Sequence, residues 1–395
     1  MRKMIYDSRR LPGVLVVILC LVAAARGDSP GAVVAKRPEA QPVQALSGPG
    51  KDPLDYVVDK LRRCDLVLIG ETHWVHQDPL FLEQLVARCM AENLIDVVFL
   101  EIGRLEEQGK IDAFMKSPTY DPTPVIEILR DETLTGWGYQ EYLDIFRRIY
   151  EENAKREPSR RVRLVMVDPE FDEVDLWSYF DKHLKQADLP DGKRRSVAGS
   201  LNDAITDRDR VMADVIESCR YELGLSRGIF YGGAAHVRKD LKQKDYGRRH
   251  FAVGGLLARH YPGRVCCLAL QQGPERWQCP ADAAYLEQLF QGQGKPFAVD
   301  TNDPALDRLR FKSTVAPEGV RLSEAYDGYL MLSPGKDRRP CHLIPGFYTD
   351  DFAKVVWERA RKRGLLPRLP EPYSQWREKT PTGAELGKMV EEGLH

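Results

Sequence analysis

Residues 66–79 read LVLIGETHWVHQDP: an apolar run, then Glu71, His73 and His76 within six positions. Imidazole and carboxylate side chains together suit two kinds of chemistry. They can hold a divalent ion such as Zn²⁺, Mn²⁺ or Fe²⁺. They can also do metal-free acid/base work, with the carboxylate tuning the imidazole. The spacing Gly-x-x-His occurs here as Gly70-Glu-Thr-His73 and again as Gly233-Ala-Ala-His236. In both, a glycine after an apolar run lets the backbone turn sharply. Between the two motifs, Glu101 closes the apolar run of DVVFLEIG, and Asp168 and Glu170 follow that of RVRLVMVDPE. The segment TDRDRVMADVI (206–216) reads as a helix start with Thr206 or Asp207 near its cap and Arg208 and Asp209 in its first turns. Arg208 or Arg210 can clamp an anionic substrate group or pair with a site carboxylate. Trp137, in TGWGYQEY, can line a pocket.

These residues are far apart in sequence, so the elements must gather them. Apolar runs at 64–70, 96–103, 161–170, 227–237, 263–272 and 325–333 read as strands. Residues 79–93 carry Phe81, Leu82, Leu85, Val86, Cys89 and Met90 on one helical stripe. Val/Ile/Leu-rich strands separated by helices predict an α/β fold: a mostly parallel central sheet flanked by helices. The helical stretches at 104–160 and 172–223 are expected to form a cap over the C-terminal edge of the strands. In such a sheet, ligands bind at the carboxyl ends of the strands. That rule places Glu71, His73, Glu101, Asp168 and His236 on one edge. His76 supports the site from behind it or is only helix-proximal and solvated; Asp168 holds a site histidine or only belongs to a turn that starts the next helix. His183, His250, His260 and His342 lie in charged or loop contexts and are expected to be solvated.

The 58 Lys+Arg nearly cancel the 59 Asp+Glu among 395 residues, so no overall charge draws the chain to nucleic acid or anionic lipid. The N-terminus pairs Arg2, Lys3, Arg9 and Arg10 with LPGVLVVILCLVAAA, too short for a comfortable membrane span. This is a secretory-signal pattern. Residues 1–27 are expected to be a signal peptide, 28–52 a flexible linker, 53–362 the α/β domain with its helical insertions, and 363–395 a peripheral tail. The mature protein is then exported, periplasmic or extracellular, with no membrane span. The eight cysteines form no Cys-x-x-Cys pair, and Cys266 and Cys267 are expected to fill a buried strand. A Walker motif and a dinucleotide-binding glycine pattern are absent from the sequence.

IGETHWVHQD, FLEIG, DRDRVMADVI and YGGAAHV, in that order, resemble the superfamily that joins erythromycin esterases, ChaN-like haem-binding lipoproteins and the TraB/Tiki proteins. The resemblance spans roughly residues 60–335. Gly-Glu-x-His is the ChaN/Tiki spacing, whereas the RDRxMA element and AYDGYLML are similar to erythromycin esterases. The resemblance implies a parallel α/β core with a site of His73, Glu101 and His236 beside Glu71. For the Tiki-like branch it implies metal-dependent peptidase chemistry, with His73, Glu101 and His236 as ligands; for the esterase branch, lactone hydrolysis; for the ChaN branch, haem binding without turnover. The expected activity is therefore hydrolysis of an ester, lactone or amide in a small-molecule or peptide substrate, with or without a divalent metal. Binding of haem or an iron complex is the alternative.

Overall fold

The sheet begins from runs that can only be stable when both faces are covered. LVLIGE, VVFLEIGR, RLVMVD and VCCLAL form strands buried along nearly their whole length. A computed structural model describes residues 45–169, 208–221, 224, 227–245, 248–313, 316, 318–362, 364, 366 and 373–393. Its strands are β1 (Leu66–Glu71), β2 (Val97–Arg104), β3 (Arg163–Asp168), β4 (Gly228–Gly233), β5 (Leu241–Asp245), β6 (Arg248–Phe251), β7 (Val265–Leu270), β8 (Phe297–Asp300), β9 (Arg310–Phe311), β10 (Val320–Arg321) and β11 (Gly328–Met331). Seven of them form one sheet in the order β3-β2-β4-β1-β7-β11-β8. All pairings are parallel except β8 against β11. β5–β6 and β9–β10 are separate two-stranded pairs. The six strands expected from the sequence all lie in the central sheet. The seventh, β8, is a four-residue antiparallel edge strand, too short to carry a pattern.

Alternation divides the strand residues between two faces. Leu66, Leu68, Val97, Phe99, Val165, Val167, Phe230 and Cys267 pack with Met212, Ile216, Val253 and Leu257 on one face. That face lies under the helix at 208–221 and the helix Val253–His260. Helices Gln77–Ala91 and Gln140–Ala154 pack on each other. Tyr142, on the second of these, reaches Glu71 from the opposite face.

RGIFYGGAAHV does not continue as a strand to residue 237. β4 ends at Gly233, and Ala234–Val237 is a helical turn. Gly70 permits that turn: a Cβ there would come within 2.7 Å of the Ala234 Cα. β2 departs from regular pairing too. Its register with β3 runs to Leu100↔Met166 and resumes only at Arg104↔Asp168, a bulge spanning Glu101, Ile102 and Gly103. Gly103, at φ +97°, supplies the conformation that L side chains avoid.

The chain divides in sequence at residue 343 into two compact units. The expected tail boundary at residue 363 therefore falls inside the second unit. That unit contains helices Asp350–Lys362 and Gly383–Gly393, which pack together and bury Phe352, Val356, Leu386 and Val390. Cys266 and Cys267 are buried, and the seven described cysteines are all thiols. No helix among the described residues is long and apolar enough to cross a membrane. The signal-like segment, the linker up to residue 44, Glu170, His183, Thr206 and Asp207 lie outside the described residues.

Phe230 has no exposed surface at the centre of the sheet. Phe230→Ala is expected to destabilise the protein by about 3–5 kcal/mol, read from urea unfolding. Tyr221→Ala, at a 91% exposed position, is the control and is expected to stay within about 0.5 kcal/mol.

Candidate active site

The sheet order brings the ends of β3, β2, β4 and β1 side by side. Asp168, Glu101, Gly233 and Glu71 stand at those ends. Glu71 is buried, and its two oxygens have different partners. Oε2 accepts the phenolic hydrogens of Tyr142 at 2.7 Å and Tyr231 at 2.5 Å. Burial first, and then the charge of Glu71, raises both phenols well above the ordinary tyrosine range, so they remain donors. Oε1 is left for His73 Nδ1 at 2.6 Å. This bond makes Nδ1 the protonated nitrogen of neutral His73 and leaves the Nε2 lone pair available. Desolvation disfavours the imidazolium, but the hydrogen bond to Glu71 and its charge outweigh that. The His73 pKa therefore lies above the ordinary histidine value.

Glu101 forms the second half. Its Oε2 accepts the Gly233 N–H at 2.5 Å. Its Oε1 lies 2.9 Å from Arg208 Nη2 and 3.0 Å from His236 Nε2. Nδ1 of His236 lies 2.5 Å from Asp209 Oδ1. His236 thus has a carboxylate at each ring nitrogen, and the doubly protonated ring satisfies both. Arg208 Nε and Nη2 each donate to Asp168 at 2.7 Å in a bidentate pair. Burial opposes ionisation of Glu101, but His236, Arg208 and His73 overcome it and hold the carboxyl well below the usual carboxylate range.

The two halves lie on opposite faces of the sheet and communicate through Gly232 and Gly233 of the intervening strand β4. A Cβ at Gly232 would lie 2.6 Å from Glu101 Oε2, and one at Gly233 would lie 2.9 Å from His73 Nε2 and 3.5 Å from Glu101 Oε2. Trp137 packs its edge on His73 at 5.1 Å between centroids, and Trp74 lies beyond at 6.2 Å. The indole nitrogens of both tryptophans are buried without a hydrogen-bond partner. Trp74 holds φ +67°, a costly conformation for a bulky residue. The loop that places His73 is therefore tightly constrained.

Solved structures similar to this chain include a succinoglycan biosynthesis protein, at 11% identity over 74% of this chain and 92% of that one, with a TM-score of 0.50. They also include the erythromycin esterase EreC (15% identity, 72% of this chain, 94% of that one, TM-score 0.45) and the haem-binding ChaN of Campylobacter jejuni (14%, 55%, 86%, 0.38). At these identities the likeness concerns the α/β fold alone. No protein-family model and no curated protein matches the chain.

Of the expected site residues, Glu71 and His73 form one pair, and Glu101, Asp168, Arg208 and His236 form one network. Arg208 pairs with site carboxylates, one of the two roles expected of it: Nε and Nη2 bond Asp168 and Glu101. Arg210 is exposed and faces Asp214 at 3.9 Å, an ordinary surface pair. His73, Glu101 and His236 do not fit a divalent ion, because the Arg208 cation already lies 2.9 Å from Glu101 and 3.3 Å from His236 Nε2. Haem fits His236 no better, since both of its ring nitrogens face carboxylates. His76 belongs elsewhere. Among the described residues, the one group of three metal-ligand side chains with mutually close donor atoms is His76, Glu141 and His342. His342 and His260 are both mostly exposed, and each is also bonded to a glutamate, Glu141 and Glu217 respectively, rather than only solvated. Tyr142, Tyr231 and Asp209 were not singled out as site residues from the sequence. Asp209 had a signal in its place beside Arg208; the tyrosines resemble ordinary core residues.

Gly233→Ala is expected to displace the His73 ring with little loss of stability. An NMR titration of the His73 imidazole is expected to show its pKa falling toward the ordinary histidine value as contact with Glu71 loosens.

Proposed function

We propose that the protein is an exported hydrolase of an ester, lactone or amide bond in a small-molecule or peptide substrate, with His73 as general base. The carrying observation is the orientation of Glu71. Two tyrosine hydroxyls hold Oε2, so Oε1 meets Nδ1 and Nε2 of His73 faces Gly233. A base in that state takes a proton from water as the water attacks a carbonyl carbon. On the other side of Gly233, His236 sits between Glu101 and Asp209 and holds Glu101 in place, a positioning role, so the proton that His73 takes from water is the one returned to the leaving group. Arg208 keeps Glu101 ionised and in place, a positioning role. Trp137 forms an apolar wall beside His73 that keeps competing water out and receives an apolar part of the substrate. Export rests on the basic start and short apolar run of the N-terminus.

The test is a panel of activated esters, lactones and peptides with the purified mature protein. His73→Ala is expected to lower kcat by roughly 10²–10⁴; unchanged turnover would sink the proposal. Activity should rise with pH as His73 loses its proton. Glu71 raises that pKa, so Glu71→Gln is expected to move the acid limb of the kcat/KM profile to lower pH while reducing its plateau.

A further inference from the structure

A second cluster lies beside the loop that carries His73. His76 Nδ1 is 2.6 Å, and His342 Nδ1 2.5 Å, from the same oxygen, Oε1 of Glu141. The two rings meet edge to face at 5.2 Å. The three donor atoms come from three separate segments and lie within 4.8 Å of one another. The Glu141 carboxylate is buried, and the His342 backbone N–H orients it through Oε2 at 2.9 Å. The surrounding backbone is already fixed. His76 N donates to Arg339 O at 2.9 Å, Cys341 N to Trp74 O at 2.8 Å, and Gln140 N to His342 O at 2.8 Å.

We propose that His76, Glu141 and His342 form a binding site for a transition-metal dication of the zinc type. Two imidazoles and a carboxylate are a donor set that Zn²⁺ takes with one position left for water. An acidic oxygen facing two imidazole nitrogens holds the ion's charge at the buried end, and the carboxylate is already aimed by the His342 N–H. Ligand atoms around tetrahedral zinc stand about 3.3 Å apart, from Zn–N and Zn–O bonds of about 2.0–2.1 Å. The two nitrogen–oxygen distances, 2.6 and 2.5 Å, must therefore each open by under about 1 Å. His342, with 64% of its side chain exposed, can rotate to allow it. The ion takes Nδ1 of His76, so Nε2 becomes the N–H and can no longer accept from Arg339 Nη2, now 3.2 Å away. Arg339 is exposed and free to swing outward. The bound ion would join segment 339–342 to the 72–76 loop and so brace the loop that holds His73, without touching the reacting atoms. The site stands apart from the hydrolytic reading and is read by metal content rather than turnover.

The probe is Co²⁺ and Zn²⁺ added to the metal-stripped mature protein. The expected result is one equivalent retained after dialysis, with Co²⁺ giving the intense visible bands of a four- or five-coordinate site. His342→Ala, a change at an exposed side chain that the fold tolerates, is expected to weaken Zn²⁺ binding by about a hundredfold or more. His73→Ala and His236→Ala are expected to retain the full equivalent. Affinity should fall in acid, because protons compete with the ion for both imidazoles. Arg339→Ala is expected to bind at least as tightly as the parent. The proposal is overturned if the parent shows no such Co²⁺ bands, if His342→Ala keeps the metal, or if His73→Ala or His236→Ala loses it.

Discussion

Three carboxylates, Glu71, Glu101 and Asp168, are buried at adjacent strand ends, and a buried charge is tolerated only when hydrogen bonds or an opposite charge compensate it. Much of the surrounding structure answers that constraint. Glu71 receives two phenolic hydrogens and an imidazole. Glu101 receives a backbone N–H, a guanidinium and a second imidazole. Asp168 receives both arms of the same guanidinium. The helix at 208–221 therefore contributes more than an apolar stripe: its first two described residues supply the cation and the anion that complete the network.

The opposite-face arrangement gives the Gly-Gly end of β4 its meaning. Glu71 turns toward helix Gln140–Ala154 and Glu101 toward the helix at 208–221. With side chains on β4 at that height, a strand would separate them. Without them, His73 Nε2 and the Glu101 carboxylate border one small space. The bulge in β2 cooperates by releasing Glu101 from regular pairing with β3.

Charge compensation also separates the two histidine-rich places. In the sheet-edge network a guanidinium already occupies the position a metal would need. In the His76 cluster the nearest guanidinium is exposed and touches the nitrogen turned away from Glu141. The same residue types thus lead to acid/base geometry in one place and to a candidate ligand set in the other.

The parallel sheet and its edge were legible because covered strands must be continuously apolar, and polar residues closing such runs must fall at their carboxyl ends. Glu71, His73, Glu101 and His236 follow from that rule and from the Gly-x-x-His repeat. The sequence alone could not tell that Arg208 fills the space assigned to a metal, or that His76 joins Glu141 and His342. Arg208 meets Glu101 107 residues away, and Glu141 meets His76 and His342 at 65 and 201. These pairings depend on helix docking and on where segment 339–342 crosses the 72–76 loop, which local periodicity does not encode. Residue types and strand ends were determined locally; which charge meets which was decided by tertiary packing, because every buried charge must find its partner in space.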